Sequence, residues 1–459
     1  MYKKITVMLT ALALIAASSY IYSRMVPSPQ RQPLPQSENR QGEDPLAKTE
    51  REGIEENING TDLEEDFRLT RDLGGEEKRI LSLSQEQQKE MLNKVGSKKM
   101  NTVLEEYHRI LPAGINNRLQ YTGYDITYDY FLVTAENGTE IREKPTADSP
   151  VVGRVNNLDK VSLLQRVESD MLEGSNIWYR VACNLNNQTI EGYLHSGTGI
   201  PRAFRFDKML AAVNELRQQL AQGELHFIRN YKNQNGTPPQ KGNTQVDEHG
   251  YRFYHSAPAY EQASTASNFR YIPDGMLVRV LEDANEFFHV NVPSFGGDFF
   301  VPKQYVDQTA TLSRLNHVVV VDRNQQNQAA FEVTENGLNL ISYTLCTTGL
   351  PGDYSFETTL GSYKVLEKKE RFEYLQKGSE KIAGYAPFAV RFTGGAYIHG
   401  VPVNYEEKNG ERVDPGTIEY LHTIGTFPRS NMCVRNFTSH AQFLYNWMDS
   451  QNGAVIVID

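Results

Sequence analysis

Cysteine is scarce in this chain: three residues, Cys183, Cys346 and Cys433, among 459. None forms a metal-ligand spacing with its neighbours. An odd number of cysteines in an exported chain points instead to a free, reactive thiol. A basic excess is also missing. Lys and Arg number 47 against 57 Asp and Glu, giving a net charge of -10, which argues against nucleic acid as the partner. Part of that acidity is local, in the Glu50–Asp66 run, and such runs are solvated tails. Hydrophobic residues reach only 39%, low for one packed globule, so some of the chain is linker. The length suits about three domains.

Long apolar runs are absent but for one. Lys3 and Lys4 precede the uncharged segment Ile5 to Ser23, and Arg24 closes it. Positive charge before an apolar run of nearly the ~20 residues that cross a bilayer reads as an export element. Residues 1–24 are therefore expected to be a signal sequence or membrane anchor, with Tyr20 and Ile21 favouring the anchor. The rest of the chain would lie outside the cytoplasm, in the cell envelope. Residues 25–66, rich in Pro, Gln and charge, read as a disordered linker.

Within 67–120 the apolar positions Met91, Leu92, Val95, Met100, Val103, Leu104 and Tyr107 recur at helical spacing and predict a helix over 85–111. The character then switches to short strands. IREKPTADSPVVGRV (141–155), WYRVAC (178–183) and GYLHSG (192–197) alternate apolar residues and turns at short intervals, the pattern of a small β-barrel at 121–200. Leu210, Val213, Leu216 and Leu220 place one apolar helical face in a connector at 201–245. YRFYHSAPAY, MLVRVLED, FFHVNV and DFFVPKQYV suggest a second, weaker barrel at 246–307. From 308 to 459 strands dominate: HVVVVD, QAAFEV, LNLISYTLCTT, GSYKVLEKKE, PFAVRF and a closing AVIVID. One amphipathic helix interrupts them at 439–449. The expected fold class is mostly β and multidomain, with a closed or sandwich-like sheet in the last domain and helical connectors.

Two segments carry chemistry, AYIHG (396–400) and RSNMCVRN (429–436). A histidine that takes a thiol proton makes a nucleophile, and backbone N–H groups at a tight turn can stabilise an oxyanion. A single Cys and a single His 34 positions apart fit a buried structural thiol at least as well.

A family resemblance shifts that balance. The box Ser430, Asn431, Met432, Cys433, Val434, Arg435, with Tyr397-Ile398-His399-Gly400 upstream, resembles the signature of the L,D-transpeptidase (YkuD) family, a histidine followed by [S/T]-H-G-C-h-[RN]. TTLGSYKV (358–365) is similar to the family's T-P-x-G-x-Y/F strand, VVVDRNQQ (319–326) to its opening strand, and SHAQFLYNWM (439–448) to its helix after the cysteine. The 141–197 segment resembles the bacterial SH3-like domain.

The resemblance implies a YkuD-like β-sandwich catalytic domain behind one or two small SH3-like β-barrels. It makes Cys433 the nucleophile, His399 the base, and the backbone of Met432 and Cys433 the oxyanion hole. Arg435 would hold a substrate carboxylate or form an internal salt bridge, while Ser430, Asn431, Met432 and Gly400 line the substrate site. The implied partners are peptidoglycan stem peptides and cell wall glycan, and no metal or organic cofactor is implied; the N-terminal segment would reach the membrane, and the acidic net charge argues against nucleic acid. The implied reaction is formation of 3-3 cross-links through a cysteine thioester, with L,D-carboxypeptidase action or an inactive wall-binding protein as alternatives.

Three departures stand out: Asn431 replaces the box histidine, Met432 replaces the glycine, and the His399–Cys433 interval is about doubled by residues 403–429. That insertion is expected to form a loop over the cleft, and Met432 to fit if its φ is negative. His422, within the insertion, is a reserve for the role Asn431 has lost. His195 reads as structural, His440 as a polar residue of a first helical turn, and Cys183 and Cys346 as packing residues.

Overall fold

The computed structural model describes residues 80–93, 102–242, 244–352, 355–376 and 379–459. The expected export element at 1–24 and linker at 25–66 lie outside them. Among the described residues no helix is long and apolar enough to cross a membrane.

Strands dominate, as the alternating sequence demands. The first sheet has eight strands. Its path runs Val151–Val155, Thr139–Arg142, Gln188–His195, Ser175–Leu185, Lys160–Leu172, Asp129–Val133, Gly199–Ala203. The path is open at both ends rather than closed into the barrel the sequence suggested. One face buries Phe131, Val161, Leu163, Tyr179, Val181, Cys183 and Leu194 together. Leu164, at a bulge between Leu163 and Gln165, lies on the opposite face from Leu163. There, with Ala182, it meets Leu83, Met91 and Leu92 from the segment carrying helix α1, Gln85–Asn93.

The helix predicted over 85–111 does not persist. α1 covers Gln85–Asn93, and Thr102–Glu106 is a strand, antiparallel to Lys160–Leu172 with Thr102 opposite Glu168. Val103 and Leu104, which the helical spacing would have buried, are half exposed on this edge strand. Backbone pairing to an available sheet edge overrode a weak helical pattern. Farther on, Ile115–Asn117 pairs in parallel with Gly337–Leu345 and so belongs to the C-terminal sheet.

A six-stranded antiparallel sheet occupies residues 226–302, ordered His226–Phe227, Leu277–Ala284, Phe287–Val292, Gly297–Pro302, Ser256–Tyr260, Phe269–Pro273. Its first strand comes from the segment that the sequence assigned to a connector. Helix α2, Phe206–Leu220, buries Phe206, Met209, Val213 and Leu216 against Val318, Val320, Phe331 and Ile456 of the C-terminal domain.

That domain is a two-sheet sandwich. One sheet runs Gly361–Lys364, Gly453–Ile458, His317–Asp322, Asn327–Thr334, Gly337–Leu345, Ile115–Asn117. The other runs Glu367–Leu375, Ile382–Thr393, Ala396–His399, Val434–Arg435. Val319, Val321, Val455 and Val457 of the first face Val390, Phe392, Ile398 and Val434 of the second, with Leu444 and Met448 from helix α3 (Thr438–Trp447) and its C-cap filling the same core. This core continues without a break into Ile228, Tyr271, Val290 and Val301 of the 226–302 sheet. The sheets do not own separate interiors.

Candidate active site

The thiol sits at the end of a tight turn. Met432 has φ 65°, and the Cys433 N–H donates to the Asn431 carbonyl at 2.9 Å. This is a three-residue turn with its central residue left-handed, a conformation that disfavours any side chain with a Cβ. The condition under which Met432 would fit without strain, a negative φ, is not met: the turn holds it in the left-handed form. The turn packs closely on Gly349, where a Cβ would lie 2.7 Å from the Met432 nitrogen.

The turn also corrects the expected oxyanion hole. The Met432 N–H donates to Phe356 O at 2.9 Å and the Cys433 N–H to Asn431 O, so both are engaged within the chain. The donor that does face the sulfur is the Tyr397 N–H, 3.2 Å from Sγ. An N–H dipole at that position favours the thiolate. Nothing in the sequence flagged Tyr397 beyond its place in the histidine segment.

Other side chains hold the turn. The Ser430 hydroxyl donates to the Cys433 carbonyl. The Thr358 hydroxyl donates to Met432 O at 2.7 Å and accepts the Gly349 N–H at 2.8 Å. The Asn431 side-chain oxygen accepts the Phe356 N–H at 3.0 Å. Asn431 and Ser430 are thus engaged in shaping the cysteine loop. Thr358 opens the TTLG segment, so its sequence signal was present, but its role became visible only in three dimensions.

His399 and the thiol belong to neighbouring strands. Ala396–His399 pairs in parallel with Val434–Arg435, with Ile398 opposite Val434 and His399 opposite Arg435. Ile398 and Val434 enter the sandwich core, so their alternates Tyr397, His399, Cys433 and Arg435 share the other face. The sequence-predicted dyad is brought to one face by this register. His399 Nδ1 lies 2.6 Å from Gly400 O, which places the proton on Nδ1 and leaves Nε2 as the basic nitrogen. Burial pushes the His399 pKa down to about 3, the Gly400 hydrogen bond raising it and the Arg435 charge lowering it further. The resting imidazole is neutral.

Both partners are sealed: Cys433 and His399 are each 0% exposed. Cys433 packs with Phe372, Ala386, Ala389 and Tyr397, and the Phe372 and Tyr397 rings stack at 4.1 Å. Phe388, between the two alanines, is left-handed at φ 56°, and Ala386 and Ala389 both pack in the cluster that holds the thiol. Their small side chains leave room for the rings and the sulfur.

The remaining expected site residues are placed as follows. Arg435 is 1% exposed, and its backbone exchanges hydrogen bonds with Thr347. Gly400 lies against the start of α3, where a Cβ would meet Thr438 Oγ1 at 2.9 Å. The inserted 403–429 segment is ordered and wedged between sheets. Its Val403–Asn404 strand extends the thiol-bearing sheet, and Glu406–Lys408 and Glu411–Val413 form a hairpin. Lys160 of the first sheet, fully buried, donates to His422 O at 2.9 Å, and Arg202 donates to Thr426 O at 2.9 Å. His422 lines a cleft of about 370 Å³ with Glu136, Asn137, Gly138 and Asn156–Leu158 of the first sheet, a surrounding different from the thiol's.

His440 lies in the first turn of α3, as expected, and is buried there. Its ring reaches Asn436 Oδ1 at 2.9 Å and Ser342 Oγ at 3.1 Å, and burial lowers its pKa to about 3. Cys183 and Cys346 are buried, and desolvation raises both thiol pKa values, that of Cys183 to about 12. They are packing residues. Among the described residues no group of His, Cys, Asp and Glu could hold a metal ion.

Comparison with known proteins adds a family. Residues 316–458 match the L,D-transpeptidase catalytic domain family (YkuD), and residues 137–199 the bacterial SH3 domain family. A search of curated proteins gave no match. Among solved structures, similarity extends to an L,D-transpeptidase from Mycobacterium smegmatis (14% identity, 42% of this chain and 89% of that one, TM-score 0.24). L,D-transpeptidase 3 from Mycobacterium tuberculosis is also similar (16%, 35% and 74%, TM-score 0.24). So is a fused zinc-dependent amidase, peptidase and peptidoglycan-binding-domain protein from Clostridium acetobutylicum ATCC 824 (14%, 31% of this chain, TM-score 0.21), of which this chain spans about half the length, 51%. Residues 316–458 of this chain are an L,D-transpeptidase catalytic domain of the YkuD family, preceded by a bacterial SH3 domain.

Proposed function

We propose that the protein is a peptidoglycan L,D-transpeptidase acting through a Cys433 thioester. The observation that carries this reading is the register of two parallel strands, which sets His399 and Cys433 on one face with the Tyr397 N–H aimed at the sulfur. In the proposed reaction His399 Nε2 takes the thiol proton, and Sγ attacks the carbonyl carbon of the amide preceding a stem's terminal D-alanine. The tetrahedral intermediate collapses, the C–N bond breaks, and the departing amine takes the proton back. An amine of a second stem then attacks the thioester, forming a 3-3 cross-link and restoring the thiol. With water as acceptor the product is a carboxypeptidase's.

Chemistry requires the Phe372–Tyr397 cover to part. Hydration on opening removes the main cause of the low His399 pKa. Export through the 1–24 segment would put the folded part beside its substrate, and the SH3 domain would hold the enzyme on the wall, raising the local substrate concentration.

The sealed dyad favours one rival, a wall-binding protein without catalysis. Incubating the full chain with purified tetrapeptide stems, followed by mass spectrometry, separates the two. Free D-alanine and a cross-linked dimer, both lost in Cys433→Ala, are expected. Wild-type chain that releases no D-alanine, or a Cys433→Ala variant that still does, would overturn the reading.

A further inference from the structure

A peptide unit is a rigid plane, so its carbonyl and its N–H point to opposite sides and turn together. Between Asn431 and Met432 both ends of that plane are engaged. The Asn431 carbonyl accepts the Cys433 N–H at 2.9 Å, and the Met432 N–H donates to Phe356 O at 2.9 Å. The units on either side are pinned: Ser430 O accepts the Leu350 N–H at 2.9 Å, and Met432 O accepts the Thr358 hydroxyl at 2.7 Å. The Asn431 side chain is held separately, by the Phe356 N–H at 3.0 Å, and the Met432 side chain packs in the sandwich core. One peptide plane can therefore turn over between fixed neighbours, and with Met432 at φ 65° it is a strained one. Turning it over has three effects at once. Met432 leaves the left-handed region, Asn431 O leaves the Cys433 N–H, and the Met432 N–H swings to the side that Asn431 O had occupied. The N–H groups of Met432 and Cys433 then face one way, which makes an anion-binding concavity on the thiol-bearing turn.

We propose that the Asn431–Met432 peptide is the latch of the oxyanion hole. At rest Asn431 O fills the place of the substrate's oxygen. The plane turns over as Sγ attacks and charge develops on the scissile carbonyl, which the two freed donors stabilise. This rests on the transpeptidase reading and adds the step that readies the site. The turned form sets Asn431 O against Phe356 O, so it is the minor form until an oxyanion is there to draw it out. Met432 is a positioning residue that sets the balance between the two forms. Glycine holds a left-handed turn without strain and would keep the latch shut. Methionine is strained in the shut form, so the departure from the family's glycine makes the plane easier to turn.

Two small reagents test the latch in the full chain, each rate counted against Cys433→Ala. Iodoacetamide forms its S–C bond at a saturated carbon with loss of iodide, and no charge develops on its oxygen. p-Nitrophenyl acetate is attacked at its carbonyl, passes through a tetrahedral oxyanion, and leaves an acetyl thioester on Sγ as the C–O bond breaks and p-nitrophenolate departs. The thiol proton goes to His399 in both cases. Opening of the cover, or loosening of the core, affects both reagents alike and cancels in the ratio of acylation to alkylation. That ratio should fall about tenfold in Met432→Gly, the strain of a left-handed side chain read as a rate. It should rise above wild type in Met432→Val, since a β-branched residue resists a positive φ more strongly. A ratio unchanged or raised in Met432→Gly overturns the proposal, as does one unchanged or lowered in Met432→Val; if the valine variant does not fold, the glycine variant decides alone. Wild-type chain that releases no D-alanine from a tetrapeptide, yet follows this order with the ester, sinks the transpeptidase reading and leaves the latch standing. D-Alanine release with a ratio indifferent to residue 432 does the reverse.

Discussion

Met432 shows how two opposed effects are weighed at a single position. Holding a non-glycine residue left-handed costs about 1–2 kcal/mol, and glycine is what the family pattern has there. Against this, Met432 is buried and packs in the sandwich core, and deleting a buried Met side chain costs about 2–5 kcal/mol. Burial wins, so Met432→Gly should lower stability by about 1–3 kcal/mol despite relieving the backbone. Urea denaturation measures it, and a stabilised variant would show that strain dominates. For His399 the expectation is kinetic. His399→Ala should lower kcat for D-alanine release by about 10²–10⁴-fold, the range of a lost general base. If turnover stays near wild type in that variant and collapses in His422→Ala, the base has been misassigned.

At the scale of elements, the thiol is controlled by the Glu367–Leu375 strand and its partner Ile382–Thr393. Phe372 closes over Cys433 by stacking on Tyr397. Replacing it with leucine keeps an apolar plug but loses the stack, at a cost of about 1 kcal/mol. Cys433 alkylation by iodoacetamide should then accelerate several-fold, by the opening equilibrium that this energy shifts, with little change in melting temperature. Equal labelling rates in the two proteins would place the barrier to access elsewhere. The 403–429 insertion belongs to this scale too. Its length suggested a lid, but Lys160, Arg202, Cys346 and Thr348 hold its backbone between sheets. It is a structural joint.

Over the whole molecule the shared cores matter most. Residues 308–459 contain the entire YkuD match, yet Ile115–Asn117 extends their sheet and Phe206, Met209 and Val213 of α2 pack on it. Expressed alone, that fragment should fail to give a cooperative unfolding transition, because it exposes an apolar face and an unpaired edge. A sharp calorimetric transition would contradict this.

The pH dependence also belongs here. His399 and His440 have folded pKa values of about 3, below the ordinary 6.5, so below pH 6.5 the unfolded chain binds more protons. Their contribution is fully present above pH 6.5 and is lost as pH falls toward 3, at about 1.4 kcal/mol per unit for each histidine. Melting temperature should drop steadily from pH 6.5 to 4.5, less steeply in His399→Gln. A flat profile would mean that the two rings are not buried neutral.

Sequence by itself determined the strand-rich class, the SH3 segment, and the pairing of a histidine segment with a cysteine box, because period-two alternation and short local motifs are written in consecutive residues. The His399–Cys433 face follows from that alternation once the two strands are neighbours. Tertiary structure alone decided that the strands are adjacent in parallel and that Met432 must be left-handed. It also decided that the Met432 and Cys433 N–H groups are occupied and that 102–106 is a strand rather than helix. These depend on partners far along the chain, such as Phe356 for the cysteine turn and Glu168 for the edge strand. Local propensity contributes tenths of a kcal/mol per residue, while a long-range ladder or a buried contact contributes about 1 kcal/mol or more. Where the two disagree, the distant partner prevails.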